Sequence, residues 1–380
     1  MTGQPTDSKT LNISLFRLAL KVLVLFGIAN LVLLPFSSLN DLGRISAYNH
    51  IFPGRLRLPY ADDPAKAYSL SLFNLEAMFA SHELAAGAKP EDEFRVLVIG
   101  DSSTWGFLLP ADQTLASQIN ENGLQTADGR QVRVYNLGYP VMSLSKDLLI
   151  LSKAMQYEPD LILWLFTLES FPYDKQLFPP LIQNNPEAMG RLITGYGLNL
   201  DPNDPIFNRT NLLDRTWIGQ RRALADLVRL QLYGVMWAAT GIDQDIPETY
   251  TPRQEDLDAD ASFHELQPPT LREADLAFDV LEAGLDLAGD TPIILINEPM
   301  FVSQGKNSDI RYNFFYPRWA YDAFRSLLAA KSQEHGWNYH DLWNAVNNRE
   351  FTNSAVHLTA RGTAQLANRL GEMILEAAKP

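Results

Sequence analysis

The sequence contains no cysteine and only six histidines among 380 residues. Without cysteine there is no disulfide framework, no thiolate nucleophile and no cysteine-containing zinc site. Positive charge is also scarce, because 31 Lys and Arg stand against 45 Asp and Glu for a formal net charge of −14. A chain with no basic surplus is a poor partner for nucleic acid. No glycine-rich phosphate loop follows any predicted strand, which disfavours nucleotide binding.

Apolar residues are abundant, at 46%, and the chain is long enough for one large core or two smaller ones. No repeat of solenoid or propeller period is present. From Phe94 onward, apolar runs of strand length alternate with helical patterns. Because such alternation produces a parallel sheet between helical layers, we expect a three-layer α/β/α fold with about five parallel strands. The predicted strands are residues 94–99, 132–137, 161–166, 291–296 and 337–340.

An apolar stretch near the N-terminus predicts a membrane anchor. Its long uncharged part is interrupted only by Asn30 and approaches the ~20 residues that a bilayer-spanning helix needs. A cleaved signal peptide is one alternative, but no small-x-small cleavage site follows; a buried amphipathic helix is the other. We expect an uncleaved single-pass anchor at residues 15–36, with residues 1–14 as a cytoplasmic tail and the rest of the chain outside the cytoplasm. The orientation follows from basic residues on the N-terminal side, namely Lys9, Arg17 and Lys21.

The remaining chain is predicted to form a neck and one large domain. Residues 37–92 carry turn signals and predict a neck or linker, and the domain occupies residues 93–380. The third and fourth predicted strands are too far apart for a simple crossover, so residues 171–290 predict a helical insertion. Within it, residues 242–261 hold seven Asp or Glu against Arg253 and predict a mobile, solvated loop. A cation site there is an alternative, although the spacing is not that of a calcium loop.

Two side chains at one sheet edge are candidates for nucleophilic chemistry. The first predicted strand runs into Gly100-Asp101-Ser102, and a turn after a strand can present a hydroxyl in front of a helix. Ser102 is therefore a candidate nucleophile, or a serine that only caps a helix. His357 lies in a loop before the last predicted helix, at the same edge, and is a candidate general base. Its alternative is a histidine satisfied by local backbone.

Together these motifs resemble the SGNH (GDSL-type) hydrolase superfamily, in particular its membrane-anchored bacterial cell-envelope members. The resemblance rests on Gly-Asp-Ser after a first strand and on His357-Leu-Thr-x-x-Gly before a last helix, and it covers about residues 94–378 apart from the insertion. It implies a flavodoxin-like sheet, with Ser102 as nucleophile and His357 as general base. It also implies that the backbone amides of Ser102 and Gly138 form the oxyanion hole.

Two positions depart from the motifs of that superfamily. Glu169 stands where an oxyanion-binding amide is expected, and its charge would repel a developing oxyanion. Ser354 stands where an Asp is expected three residues before the histidine. A hydroxyl stabilises an imidazolium far less than a carboxylate does. We therefore expect a Ser–His dyad, in which Ser354 or a main-chain carbonyl accepts from the imidazole. The alternative is that Glu298 or Glu169, which both follow strands at this edge, substitutes for the missing carboxylate.

A stretch dense in aromatic, amide and arginine side chains follows the fourth predicted strand, at residues 307–319. Such side chains line carbohydrate or acyl-group pockets, so the stretch predicts contacts with substrate. The alternative is a loop whose aromatic rings hold it to the core. The candidate substrate-binding residues are Asn307, Arg311, Tyr312 and Asn313.

The sequence as a whole predicts a membrane-tethered serine esterase or O-acyltransferase acting on ester-linked acyl groups, with no cofactor and no metal. The expected partners are an ester-bearing small molecule or an acylated glycan, and the lipid bilayer contacted by residues 15–36. The alternative is a catalytically inactive domain that binds cell-envelope glycan or organises a complex. Glu169 and Ser354 support that alternative.

Overall fold

The structure is a computed structural model. It describes residues 14–32, 43–46, 49, 52, 54–60, 73–209, 211, 213–244 and 246–379. The described α-helices are α1 (Leu15–Val32), α2 (Leu75–Ala80), α3 (Ser102–Trp105), α4 (Leu115–Glu121), α5 (Leu144–Ala154), α6 (Tyr173–Gln176), α7 (Pro180–Gln183), α8 (Pro186–Tyr196), α9 (Arg221–Thr240), α10 (Phe278–Ala288), α11 (Arg318–His335) and α12 (Ala360–Ala377).

The sheet has five parallel strands in the order β2-β1-β3-β4-β5. This confirms the predicted parallel α/β fold and is the strand order of flavodoxin-like proteins. Because all strands run the same way, their carboxyl ends meet at one edge, where ligands bind in such sheets. The strands are β1 (Glu93–Ile99), β2 (Gln131–Asn136), β3 (Leu161–Phe166), β4 (Ile293–Asn297) and β5 (Asn338–Asp341).

The core lies on both faces of the sheet because alternate strand residues point in opposite directions. On β1, Leu97 and Ile99 belong to the cluster that includes α5, α10 and α11. Val96 and Val98 belong to the cluster that includes α4 and α12. Central strands that are buried on both faces need continuous apolar runs, and for this reason the strands could be predicted from the sequence.

Described parts of the stretch predicted as a neck pack into the domain. Arg57 and Leu58 are fully buried, and so is His82, which follows α2. His82 Nε2 donates to the carbonyl of Asn136 at 3.0 Å, and its Nδ1 accepts from the amide of Leu84 at 3.1 Å. Burial, reinforced by the charge of Arg55, lowers the pKa of His82 to about 3. This histidine is therefore a neutral structural residue at the edge strand.

The predicted insertion contains α6 to α10, and its acidic stretch is attached to the domain. Asp243 is buried, and its Oδ2 lies 2.5 Å from Arg57 Nε. Further along, the amide of Leu257 donates to the carbonyl of Lys306 at 3.0 Å. The prediction of a solvated loop is wrong at Asp243 and Leu257, because their contacts with other parts of the chain bury both residues.

The described part of the predicted anchor is α1. Residues 33–36 of that anchor lie outside the described residues, as do residues 1–13 of the predicted tail. Within the part of the chain that the structure describes, no helix combines the length and the apolar character needed to cross a membrane.

Candidate active site

Ser102 is the first residue of a one-turn helix that follows β1. The helix α3 begins there because Asp101 caps it, with Asp101 Oδ1 accepting a hydrogen bond from the amide of Ser103 at 2.8 Å. It ends at Gly106, whose φ of +89° favours glycine. The short helix, stopped at both ends, holds Ser102 at the carboxyl edge of the sheet.

His357 meets Ser102 across 255 positions of sequence. The distance between His357 Nε2 and Ser102 Oγ is 2.7 Å. The other ring nitrogen, Nδ1, lies 2.8 Å from Asn353 Oδ1. An amide oxygen can only accept, so Nδ1 carries the hydrogen and Nε2 is left with a lone pair for the serine hydroxyl. The arrangement is a Ser–His–Asn triad with the imidazole in the tautomer of a general base.

The loop that carries His357 closes on itself. Phe351 and Leu358 form an antiparallel bridge, which turns Asn353 back toward the imidazole. The ring of Phe107 stacks on the imidazole, with centroids 4.8 Å apart and planes inclined by 25°. The imidazole is therefore fixed at both nitrogens and on a ring face, and His357 is only 9% exposed.

The third member of the site is not one of the residues predicted for it. The sequence pattern indicated Ser354, Glu298 or Glu169 as the group that orients His357. The structure places Asn353 there, four residues before the histidine rather than three, because the closed loop turns Asn353 toward Nδ1. A search for any polar side chain within one turn of the histidine, rather than for a carboxylate at a fixed spacing, would have found it.

Glu298 lies at the end of β4 and is 1% exposed. Its Oε2 accepts a hydrogen bond from Ser103 Oγ. Burial and the nearby Asp101 raise the pKa of Glu298 well above its ordinary value. Its other oxygen, Oε1, and Asp101 Oδ2 are both buried without another partner in the described residues, and a proton on Oε1 donated to Asp101 satisfies both. This acid pair holds the first turn of α3.

A buried lysine joins the turn before Ser102 to the loop that follows β2. Lys146 Nζ donates to the carbonyls of Gly100 at 2.7 Å and Tyr139 at 2.8 Å. Asp147 Oδ1, 2.6 Å from the same Nζ, balances its charge. Burial raises the pKa of Asp147 to about 6. The turn after β1 and the loop after β2 are thus held together from within the core.

Gly138 has a different contact from the one predicted. Its N–H donates to Asn136 Oδ1 at 3.0 Å, so this amide is engaged within the protein. A Cβ at this position would lie 2.4 Å from the amide nitrogen of Trp105, so glycine lets the loop after β2 approach the backbone of α3. The amide of Ser102, at the first position of α3, has no intrahelical acceptor and remains a candidate oxyanion donor.

Glu169 belongs to a cluster of charged groups after β3. Its Oε1 lies 2.9 Å from Lys175 Nζ, and its Oε2 lies 3.3 Å from His264 Nε2. His264 Nδ1 is 2.9 Å from Asp174 Oδ2. The hydrogen bond with Glu169 raises the pKa of His264 against the opposing effect of burial. These partners offset the charge that would otherwise repel an oxyanion. In the described residues, no group of three or more His, Asp or Glu could hold a metal ion.

The four candidate substrate-binding residues have hydrogen-bond partners within the protein. Tyr312 donates to Asp322 at 2.8 Å, and Asn307 donates to the carbonyl of Leu257 at 2.7 Å. Asn313 is fully buried, and Arg311 donates to backbone carbonyls such as that of Asp260 at 2.7 Å. The alternative structural interpretation fits these contacts better than a substrate surface does, because buried polar groups that are already paired have little capacity left for a ligand.

Arg57 is a residue that the sequence reasoning missed. Its guanidinium is fully buried and donates to the carbonyls of Gly106 at 2.9 Å and Leu109 at 3.1 Å, just after α3. It also lies 4.2 Å above the ring of Trp105. Although burial opposes it, Arg57 holds the pKa of Asp243 below its ordinary value. The ion pair between Arg57 and Asp243 fixes the segment that follows α3, and no sequence motif predicts it.

A Glu298→Gln variant is expected to remove part of the pH dependence of stability. The folded state retains the Glu298 proton that the unfolded chain releases near pH 4.5. The free energy of unfolding therefore falls as pH rises from about 4.5 through the folded pKa, by up to about 1.4 kcal/mol per pH unit. The substituted amide supplies the same donor to Asp101 and the same acceptor to Ser103 without titrating. Denaturant unfolding between about pH 5 and pH 8 measures the slope.

The matched control for that variant is Glu334→Gln on the exposed part of α11, which should keep the wild-type slope. Asp147, with a pKa of about 6, contributes in both proteins at the acid end of the range. This contribution is the same in Glu298→Gln and in wild type, so the difference between their slopes reports Glu298 alone. If the free energy of unfolding had the same pH slope in Glu298→Gln as in wild type, Glu298 would be ionised in the folded state.

Comparison with known proteins gives distant structural likenesses. No family model matches the sequence, and neither does any curated protein. A carbohydrate acetylesterase family member from Sinorhizobium meliloti is 11% identical over 75% of this chain and 98% of its own, with a TM-score of 0.33. A lipolytic protein of the G-D-S-L family from Veillonella parvula DSM 2008 is 11% identical over 73% and 96%, with a TM-score of 0.35. The lipase/acylhydrolase from Enterococcus faecalis is 15% identical over 75% and 97%, with a TM-score of 0.35.

Proposed function

We propose that this chain is a serine esterase that cleaves ester-linked acyl groups through an acyl-enzyme on Ser102. The single observation that carries the proposal is the 2.7 Å contact between Ser102 Oγ and His357 Nε2, with the imidazole held by Asn353. A hydroxyl, a base in the correct tautomer and an orienting group in hydrogen-bond contact are the requirements for an activated serine nucleophile.

In the first half of the proposed reaction, Ser102 Oγ attacks the ester carbonyl and its proton passes to His357 Nε2. The new bond joins Oγ to the carbonyl carbon, and the carbonyl oxygen takes the negative charge. The amide of Ser102 donates to that oxygen. The bond to the leaving oxygen then breaks, and His357 returns the proton to the departing alcohol. Asn353 accepts from Nδ1 throughout, which keeps Nε2 directed at the reacting atoms.

In the second half, water gives a proton to His357 and its oxygen attacks the acyl carbon. The bond to Ser102 Oγ breaks, Oγ regains the proton, and a carboxylic acid leaves. A hydroxyl group of a second molecule that takes the place of water would receive the acyl group instead. The proposal thus extends to O-acyl transfer, with an acylated glycan or a small ester as the donor.

A second candidate function is binding without turnover. The engaged amide of Gly138 and the position of Glu169 favour it, because each removes a donor that the resemblance implies for the oxyanion. Losing one such donor costs on the order of a hundredfold or more in rate. The two functions differ in whether Ser102 is nucleophilic, and an irreversible serine probe distinguishes them.

The test is labelling of the full-length protein with a fluorophosphonate probe. Attack by Ser102 Oγ on phosphorus expels fluoride and leaves a stable adduct, which mass spectrometry locates. We expect one adduct, on Ser102, and its loss in Ser102→Ala. The matched control Ser326→Ala, an exposed serine on α11, should label like wild type. A folded protein that gives no Ser102 adduct would rule out the esterase and leave the binding function.

We also propose that residues 15–36, which include α1, attach the chain to a lipid bilayer, with the domain outside the cytoplasm. Large apolar side chains all along α1 support this, since Leu15 is 79% exposed, Leu23 67% and Leu31 67%. Water is an unfavourable environment for such a surface, and acyl chains are a favourable one. The basic residues Arg17 and Lys21 lie in the first half of the helix and set the orientation.

A further inference from the structure

The insertion helix α9 has two apolar faces. One face packs in the protein, where Leu227, Leu230 and Trp237 form a small cluster with Ala77 of α2. The residues of this face recur at helical spacing, so they account for one side of the cylinder only. A surface helix of a globular domain normally needs no second apolar side.

The second face points away from the domain and is open. Val228 is 55% exposed, Leu232 65%, Val235 41% and Met236 44%. These positions follow one another at i, i+4, i+7 and i+8, which places them along one side of the helix. Just before α9, Leu213, Trp217 and Ile218 are exposed in the same way. An open apolar strip of this length marks a contact surface.

This strip is continuous with α1. Phe26, in the second half of α1, lines one groove together with the apolar side chains of Trp217, Ile218, Leu224 and Val228 and with Arg221 and Arg229. The apolar surface of α1 and the open face of α9 therefore meet.

The charges around the strip are basic in an acidic protein. Four arginines and two aspartates lie between residues 213 and 240, whereas the whole chain has a formal net charge of −14. The arginines, all exposed, are Arg215, Arg221, Arg222 and Arg229. Guanidinium groups bind phosphate, and an arginine-bearing helix with an apolar face and a tryptophan is typical of a membrane interface. If two copies of the chain packed through this face, the arginines of one copy would approach those of the other and repel them, so a second copy is a poorer partner than anionic lipid.

We propose that α9, with residues 213–218, lies along the surface of an anionic lipid bilayer, its open apolar face among the acyl chains and its arginines at the headgroups. The inference rests on the proposed anchoring by α1. It adds a second, parallel contact that fixes the orientation of the domain above the bilayer. The entrance to the Ser102 site then has one orientation relative to the membrane rather than swinging freely on a single helix.

The absence of native cysteine makes the test simple. Three full-length variants, Leu232→Cys in α9, Leu23→Cys in α1 and Glu372→Cys on the exposed side of α12, each carry one environment-sensitive fluorophore. Each is placed, one chain per disc, in nanodiscs of phosphatidylcholine and phosphatidylglycerol. Quenching is measured with nitroxide-labelled acyl chains and with aqueous iodide.

We expect the label at position 232 to be quenched by nitroxide lipid and to be severalfold less sensitive to iodide than the label at position 372. Reversing Arg221 and Arg222 to Glu should weaken the lipid quenching at position 232 and leave position 23 unchanged. Lipid quenching at position 23 without lipid quenching at position 232 would overturn the inference and leave the anchor intact. Iodide protection at position 232 without lipid quenching would show that another part of the chain covers α9 and would also overturn the inference. Quenching by lipid at neither position would overturn the anchor as well.

Discussion

In a His357→Ala variant, kcat/KM for hydrolysis of an activated ester such as p-nitrophenyl acetate is expected to fall by about 10⁴-fold or more. Ser102 Oγ has its hydrogen-bond acceptor 2.7 Å away in His357 Nε2. Without this base the attacking group is an alcohol that must lose its proton to water. The amide of Ser102 and the bound geometry remain, so residual turnover above the background is also expected.

The matched control is His335→Ala, because that histidine is exposed at the end of α11. It should retain wild-type kcat and KM. The fluorophosphonate reaction provides an independent measurement of the same step, and its rate constant should fall in parallel with kcat/KM in His357→Ala. A His357→Ala protein that is folded and still labels at the wild-type rate would mean that another group activates Ser102.

The sheet could be predicted because burial on both faces leaves a direct trace in the sequence. β3 is Leu161-Ile-Leu-Trp-Leu-Phe166, apolar at every position, and its predicted bounds equal those observed. The meeting of Ser102 with His357 follows from the same physics. Both residues come after strands or before helices at the carboxyl edge, and a parallel sheet brings all such positions to one side.

Asn353 could not be placed from sequence because a closed loop, not a strand or helix, sets its distance from His357. A shift of one residue in such a loop changes which side chain faces the ring, and no periodicity constrains it. The proton between Glu298 and Asp101 and the roles of Arg57 and Lys146 could not be predicted for a different reason. Their roles depend on burial and on partners far apart in the chain, and neither property is visible in a local pattern.

Asn353 and Ser354 are neighbours, and alanine substitutions at the two positions are expected to have different effects on kcat. The structure places Asn353 against His357, whereas the sequence motif pointed to Ser354. In Asn353→Ala, His357 Nδ1 loses the oxygen that holds it at 2.8 Å. The imidazole can then rotate or exchange tautomers, and kcat is expected to fall by about 10- to 100-fold with little change in KM. Ser354→Ala removes the hydroxyl predicted from the sequence and should leave kcat within about twofold of wild type.

An Asn353→Asp variant tests why the site uses an amide. A carboxylate at this place accepts from Nδ1 as the amide oxygen does, and it also stabilises the imidazolium that forms when Ser102 gives up its proton. We expect kcat at neutral pH to equal or exceed that of wild type, and the acid limb of the kcat/KM profile to change because the carboxylate favours the protonated ring. A merely structural Asn353 would give equal losses in the Ala and Asp variants. A larger loss in Ser354→Ala than in Asn353→Ala would return the orienting role to the hydroxyl.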